Sequence, residues 1–310
     1  MTAASFDRRL TLARPDLAAN HLRGLVEAPR YAIGQAKRVM AASAPLRRYP
    51  DAGAPLESEA LHGESVTVFD EHDGWAWVQL DRDSYVGYMP AAALGAPAES
   101  THRVAALRTH AYPGPSIKLT PRMALSLGAR LTIVAHEGDF AISADGLHVW
   151  LRHLAESGSR EPDYVAVAER FLETPYLWGG RTSEGIDCSG LVQTALAAAG
   201  VAAPRDSDMQ EAGLGEPIAI DDPRTRGDLV FWKGHVGVMR DSVTLLHANG
   251  WHMKVVSEPL AEARARIAAN GGGKVTSARR LVEKTSLPPG EGQVRVLTGY
   301  MGDRIDRRHG

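Results

Sequence analysis

The rhythm of apolar and polar positions changes three times along the chain. Up to about Gly34, Leu10, Leu12, Leu17, Leu22 and Leu25 are scattered through an arginine-rich stretch broken by Pro15 and Pro29. This predicts short helical pieces packed onto something larger, a helical extension over residues 1–35. From Val39 to Leu94 short runs alternate, as in Val66-Thr67-Val68 and Trp75-Ala76-Trp77-Val78, with turn signals at Pro50-Asp51, Asp73-Gly74 and Asp81-Arg82-Asp83. Such spacing predicts a small β-barrel. The phrase Tyr49-Pro50, Gly63, Thr67 and Gly74-Trp75-Ala76 returns as Tyr112-Pro113, Gly128, Thr132 and, with Asp139 inserted, Gly138-Phe140-Ala141. Two copies of one β module, at 36–97 and 98–157, are expected; two unrelated β segments are the alternative. After Glu161-Pro162, Tyr164, Ala168, Phe171 and Leu172 fall at helical spacing, as do Leu191, Val192, Ala195, Leu196 and Ala199 before Gly200. Short β runs follow at Leu229 to Trp232, His235 to Met239, Val243 to His247 and Met253 to Val256, then a further helix at Leu260 to Ala269. One helix followed by consecutive strands predicts an α+β domain with an antiparallel sheet over 158–310, its tail beyond Pro288 basic at the end.

Composition narrows the function classes. The 310 residues carry 35 Lys and Arg against 37 Asp and Glu, a net charge of -2 that supplies no general pull toward nucleic acid or anionic lipid. The balance is uneven: residues 1–50 hold nine basic and three acidic side chains, whereas residues 51–100 hold one basic side chain, Arg82, and ten acidic ones. Asp7, Arg8 and Arg9 stand where a secretory signal would begin its apolar stretch, and no run approaches membrane-spanning length, so a cytoplasmic protein without membrane partners is expected. Cys188 is the single cysteine, which excludes an intramolecular disulfide framework and multi-cysteine metal sites.

Cys188 is either a small core residue or a nucleophile. It lies in Gly185-Ile186-Asp187-Cys188-Ser189-Gly190, directly before an apolar-periodic segment, which places it in the first turn of a helix with Asp187 near the N-cap. Unsatisfied N–H groups there favour a thiolate and could hold an oxyanion. A thiolate nucleophile needs an imidazole base, and the base an orienting partner. His235 opens one strand and His247 ends the next. If these strands are antiparallel neighbours, both rings come to one sheet edge as a base and its orienter.

Tyr176-Leu177-Trp178-Gly179-Gly180, Asp187-Cys188-Ser189-Gly190-Leu191-Val192, Gly227-Asp228-Leu229-Val230-Phe231-Trp232 with Gly234-His235-Val236-Gly237-Val238, and His247-Ala248-Asn249-Gly250 resemble, in order and spacing, the NlpC/P60 family of papain-like cysteine peptidases. The likeness covers about 160–260, and the β repeats resemble the bacterial SH3-like modules found ahead of that domain. The resemblance implies an α+β, circularly permuted papain-like fold behind two SH3-like barrels. It implies hydrolysis of murein stem peptides between the γ-carboxyl of D-glutamate and a diamino acid, diaminopimelate or lysine, without a cofactor or metal. It further implies Cys188 as nucleophile, His235 as base and later acid, and His247 as the member that fixes the His235 ring. The Cys188 N–H and Tyr176 hydroxyl would hold the oxyanion, and Tyr176, Trp178, Asp187 and Ser189 would line the acyl-side pocket.

Family members with N-terminal SH3-like modules can close the acyl side of the cleft, admitting only short peptides with a free amine. A buried ammonium needs carboxylate and hydroxyl partners, and Glu59 and Tyr85 of the acidic first barrel match positions where such members place them. Together with Asp187 they would surround the amine of L-Ala-γ-D-Glu-diamino acid fragments, a recycling role. An exported endopeptidase acting on intact wall, a non-catalytic wall-binding protein, and a metal hydrolase using His235, His247 and His252 are the alternatives.

Overall fold

The computed structural model describes residues 6–281; the basic tail beyond Pro288 lies outside them. Residues 35–95 form a seven-stranded antiparallel sheet, in the order Leu94–Gly95, Gln35–Val39, Ser65–His72, Trp75–Leu80, Val86–Pro90, Ser43–Arg47 and Leu56–Leu61. Its alternating positions turn Val39, Leu46, Val66, Val78, Leu80 and Met89 into one closed core. Residues 102–156 follow the same course. Leu154–Glu156, His102–Val104 and Arg130–Leu131 pair in one sheet, and Ile133–Glu137, Phe140–Ser143, His148–Trp150, Arg108–Tyr112 and Met123–Ser126 in the next. Read together, these strands repeat the order of the first unit, down to a 3-10 turn before the last strand in each, Ala91–Ala93 and Leu151–His153.

The two β units are joined by backbone. Arg130 N donates to the His62 carbonyl at 2.7 Å, and Leu61 of the first unit packs into the core of the second. Gly63 has a φ of +74°, and a Cβ there would stand 2.1 Å from the Arg130 carbonyl oxygen.

The N-terminal segment is not helical. Ala13–Arg14, Leu17–Ala19 and Arg30–Ala32 form a three-stranded sheet with a single 3-10 turn at Asn20–Leu22. Pro15 sits in the reversal between the first two strands, and Leu12, Leu17, Ala19 and Leu22 bury themselves on Trp77 and Val86 of the first β unit. Tertiary burial against those two side chains decides a segment whose own periodicity is too weak to choose.

Residues beyond 163 build the remaining layer. Helix α1 (Tyr164–Glu169) is capped by Asp163, whose Oδ1 accepts from Val165 N, and α2 (Cys188–Ala198) by Asp187, whose Oδ1 accepts from Gly190 N at 2.7 Å. A six-stranded antiparallel sheet runs Glu216–Ile218, Ser277–Arg280, Leu229–Trp232, His235–Met239, Thr244–Asn249, Lys254–Pro259. On one face Leu229, Phe231, Val236, Val238, Leu246 and Ala248 meet Leu191, Val192 and Ala195 of α2. On the other, Val230, Trp232, Met239 and Leu245 meet Ala263 of α4 (Leu260–Ala269). Helix α3 (Ser207–Gly213) starts beside the N-terminal end of α2, tied to it by Gln210 Nε2, which donates to the Ser189 carbonyl at 3.0 Å.

A buried ionic cluster welds the first β unit to this layer. Arg181, 2 % exposed, donates Nη1 to the Glu59 carbonyl at 2.9 Å and to Glu64 Oε2 at 3.2 Å, while Arg82 Nη1 reaches Glu64 Oε2 at 2.6 Å. Burial by itself would push the Glu64 carboxyl up, but the Arg181 and Arg82 guanidiniums outweigh it and hold it at about 2. A carboxyl depressed on folding lends stability that is full above its unfolded value and fades as pH falls through the folded one. The urea midpoint should therefore fall more steeply between about pH 4.5 and 2 in the wild type than in Glu64→Gln; parallel curves would contradict the cluster's role. Gly63→Ala should cost about 2–4 kcal/mol by the same urea measurement, because strain and a backbone clash coincide. A loss below about 0.5 kcal/mol, the usual range for a surface change, would show that the junction between the β units is soft.

Candidate active site

A cleft of about 410 Å³ lies where the N-terminal segment, the first β unit, α2 and α3 meet. It is lined by Cys188 with Tyr176, Trp178, Asp187, Ser189 and Gly234, and by Asp208 with Glu57, Tyr85 and Asp206, the last three joined through the Tyr85 hydroxyl. Cys188 is 7 % exposed and occupies the first position of α2, so backbone N–H groups of Ser189 and Val236 reach its sulfur. The pull of the helix N-terminus is opposed there. Burial, followed by the Asp187 charge, pushes the thiol up to about 12, against the pull of those N–H groups and Arg205.

Gly234 lines the cleft and the Val236 N–H faces the sulfur, so the strand that carries His235 runs past the thiol, while the His235 ring lines a neighbouring cavity with Trp232, His247, Asn249 and Arg266. Strands His235–Met239 and Thr244–Asn249 pair antiparallel, with Val238 opposite Leu246, which brings both rings to one sheet edge. His235 Nε2 lies 2.8 Å from His247 Nδ1, so Nδ1 is the His235 ring nitrogen outside this contact. Burial, then His247 and Arg266, push His235 down to about 3, with only Glu258 pulling upward. His247 is fully buried and its Nε2 meets Glu258 Oε1 at 2.7 Å. His252 does not converge with the pair: its Nδ1 is 3.1 Å from Asn249 Oδ1.

Asp187 is both helix cap and cleft wall. It accepts from Gly179 N at 2.9 Å and Gly190 N at 2.7 Å, and Arg205, 1 % exposed, donates Nη2 to its Oδ2 at 2.7 Å and Nη1 to its Oδ1 at 3.0 Å. Arg205 also binds Ser189 Oγ at 2.9 Å and, from the first β unit, Ser58 Oγ at 3.0 Å. The Ser189 hydroxyl is therefore spent inside this network although the residue lines the cleft. Trp178 is 67 % exposed, and burial keeps the Tyr176 phenol protonated.

Glu59 does not face the cleft. Its Oε2 accepts from Arg181 N at 2.8 Å, within the weld between the units, and burial raises its carboxyl. Glu57 lines the cleft instead. Strand Leu56–Leu61 pairs with Ser43–Arg47 as Ser58 with Leu46 and Leu56 with Arg47, which leaves Glu57 as the extra residue of a bulge aimed at the cleft. The alternation Leu56-Glu57-Ser58-Glu59 put the two glutamates on one face, and nothing in the sequence signals the bulge. Tyr85 donates to Asp206 Oδ2 at 2.9 Å and lies 3.4 Å from Glu57 Oε2. Burial raises the Asp206 carboxyl against the opposing pull of Arg205, Tyr85 and Arg9.

Cations already sit on this cluster. Arg9 Nη1 donates to Asp206 at 2.8 Å and Asp208 at 2.9 Å, Arg8 reaches Glu57 at 3.3 Å, and Arg48 Nε donates to Glu57 at 2.7 Å. The role of the N-terminal segment and of Asp206 had one sequence signal, the Asp7-Arg8-Arg9 cluster, with no spacing to connect it to residue 206.

Residues 173–268 match the NlpC/P60 family and residues 46–94 the bacterial dipeptidyl-peptidase SH3 domain. A γ-D-glutamyl-L-lysine dipeptidyl-peptidase of Bacillus cereus is 28% identical over 203 residues, 57% of this chain and 60% of that protein's length. Dipeptidyl-peptidase 6 of Lysinibacillus sphaericus is 28% identical over 236 residues, 68% of this chain and 86% of that protein. An NlpC/P60 family protein from Bacillus cereus superposes with a TM-score of 0.66 at 21% identity, over 79% of this chain and 99% of the other. The fold is thus papain-like α+β with an SH3-like β domain ahead of it. The chain carries an NlpC/P60 domain over residues 173–268 behind a bacterial SH3 domain over 46–94.

Arg205→Ala should cost about 3–5 kcal/mol in urea denaturation, because it strands the buried Asp187 carboxylate. A cost under about 1 kcal/mol, typical of an exposed pair, would contradict a buried ion pair that anchors α2.

Proposed function

We propose that the protein hydrolyses the bond between the γ-carboxyl of D-glutamate and a diamino acid in short murein peptides that begin with a free L-alanine. The observation that carries this reading is the acidic cluster in the cleft. There Glu57, Tyr85 and Asp206 converge in the cleft that Cys188 also lines, and guanidinium groups of the same chain are seated on both carboxylates. Such a site suits a peptide's terminal ammonium, which can take over the charge-assisted hydrogen bonds that these carboxylates accept from the arginines. Arg8, Arg48 and Arg9 in the same cleft suit the free α-carboxylate that a γ-linked D-glutamate retains. In intact wall the alanine nitrogen is held in an amide to the glycan, so a pocket for an ammonium favours released fragments, and with them a recycling role in the cytoplasm. Among the described residues no helix is long and apolar enough to cross a membrane. The relatives named for γ-D-glutamyl-L-lysine dipeptidyl-peptidase activity support the same bond.

In this reading His235 Nδ1 takes the Cys188 proton as the sulfur attacks the γ-carbonyl. The oxyanion rests on the Cys188 N–H and the Tyr176 hydroxyl, which burial keeps protonated. His235 then protonates the departing amine of the diamino acid, and water, deprotonated by the same ring, hydrolyses the thioester to release L-Ala-D-Glu.

Cleavage of L-Ala-γ-D-Glu-meso-diaminopimelate and of its lysine counterpart, followed by mass spectrometry, tests the proposal. L-Ala-D-Glu should appear from free-amine peptides, not from an N-acetylated peptide, and not with Cys188→Ala. Glu57→Gln should lower kcat/KM by roughly 10–100-fold, the worth of a charged hydrogen bond. Equal cleavage of acetylated and free peptides would overturn the amine pocket while keeping the peptidase, and no cleavage of any would overturn the substrate.

A further inference from the structure

Behind His247 the polar chain continues through two residues that touch neither cleft nor thiol. His247 Nε2 meets Glu258 Oε1 at 2.7 Å, and Arg266 clamps that carboxylate with both terminal nitrogens, Nη2 donating to Oε1 at 2.6 Å and Nη1 to Oε2. Glu258 ends strand Lys254–Pro259 opposite Leu245, and Arg266 lies on α4, which begins one residue after that strand. The Glu258 side chain is 12 % exposed and that of Arg266 18 %.

We propose that Glu258 is a positioning residue for catalysis: through His247 it fixes which nitrogen of His235 is free to take the Cys188 proton. The inference rests on the cysteine peptidase reading of Cys188 and His235, and on no particular substrate.

The proton count runs in one direction. An ionised carboxylate only accepts, so at 2.7 Å His247 must carry its hydrogen on Nε2. The neutral ring then has its lone pair on Nδ1, and the 2.8 Å contact to His235 requires His235 to donate from Nε2. His235 Nδ1 is left as a lone pair, the form a base needs. When the ring becomes imidazolium, the same Nε2–H stays on His247, whose own Nε2–H stays on Glu258, so no donor has to turn.

Two neighbours show why the charge on Glu258 matters. Asn249 Nδ2 lies 3.0 Å from the same His247 Nε2 and is also a donor, its Oδ1 being held by the His252 N–H at 2.9 Å. Only one can be satisfied at that nitrogen, and the shorter contact to a charged acceptor prevails. Arg266 keeps Glu258 from taking the proton: burial raises the carboxyl, but His247 and Arg266 together hold it at about 2. In Glu258→Gln, Arg266 claims the amide oxygen and the amide nitrogen turns to His247. The lone pair moves to His247 Nε2, where Asn249 donates to it. His235 must then carry its hydrogen on Nδ1, a donor instead of a base. In a serine triad the corresponding loss of charge costs about 10⁴ in kcat through the wrong tautomer.

Long-range proton–nitrogen NMR of the imidazoles in the wild type reads the tautomers directly. Hydrogen on Nε2 of both His247 and His235 is expected, and hydrogen on Nδ1 of His247 would overturn the inference whatever the variants do. The rate of Cys188 alkylation by iodoacetamide against pH supplies a readout free of any substrate. The titratable and charged groups acting on His235 and His247 are each other, Glu258, Arg266 and His252, and only Glu258 changes in the variant. Glu258→Gln should slow alkylation at pH 7 and lower kcat by roughly 10²-fold with KM within about twofold, a loss of general-base character. Glu258→Asp should recover part of both. Wild-type alkylation and kcat in a folded Glu258→Gln protein would overturn the proposal. A changed alkylation profile without cleavage of any murein peptide would uphold it while removing the proposed substrate.

Discussion

The ion pair of Asp187 with Arg205 is the constraint on which the site depends. An aspartate at the N-cap of a buried helix needs a counter-charge, and Arg205 supplies it from the segment leading into α3. That one guanidinium also holds Ser58 of the first β unit and Ser189 of α2, so the helix carrying Cys188 and the β unit carrying Glu57 and Tyr85 are located by a single side chain. The next residue, Asp206, points the other way, to Tyr85 and Arg9. Adjacent residues thereby serve the frame and the cleft.

The β unit is in this sense part of the site. Glu64, Arg82 and Arg181 fasten it with buried, paired charges, which fixes position rather than adding much net stability. Fixed position matters to the cleft: Glu57 and Tyr85 keep their places in its lining only if their strands do not shift against α2. The N-terminal segment adds a third wall, since its leucines bury on Trp77 and Val86 and its arginines then reach the cleft.

Much of the catalytic layer is legible in the sequence because strong local signals agree there. Asp187 before an apolar-periodic run reads as a cap, and the short Arg240-Asp241-Ser242 connection reads as a turn between antiparallel strands, which is enough to bring His235 and His247 to one edge. The α+β class follows from one helix and consecutive strands. What escapes is set by irregular or long-range structure. A bulge separates Glu57 from Glu59, and no spacing announces a bulge. The leucines before Gly34 pack as strands because Trp77 lies beneath them. Cys188 at a helix N-terminus reads as a thiolate, yet burial outweighs the helix end. Arg205 and Asp206 are distant in sequence from everything they bind on the first β unit.

The account stands or falls on where a peptide's amine goes. A crystal structure of Cys188→Ala with L-Ala-γ-D-Glu-meso-diaminopimelate bound measures that directly. The account predicts the ammonium within hydrogen-bond distance, about 3 Å, of Glu57 or Asp206 and the Tyr85 hydroxyl, with the γ-carbonyl over residue 188. A peptide bound with its amine open to solvent, or with its diamino acid at the Glu57 end, would contradict it.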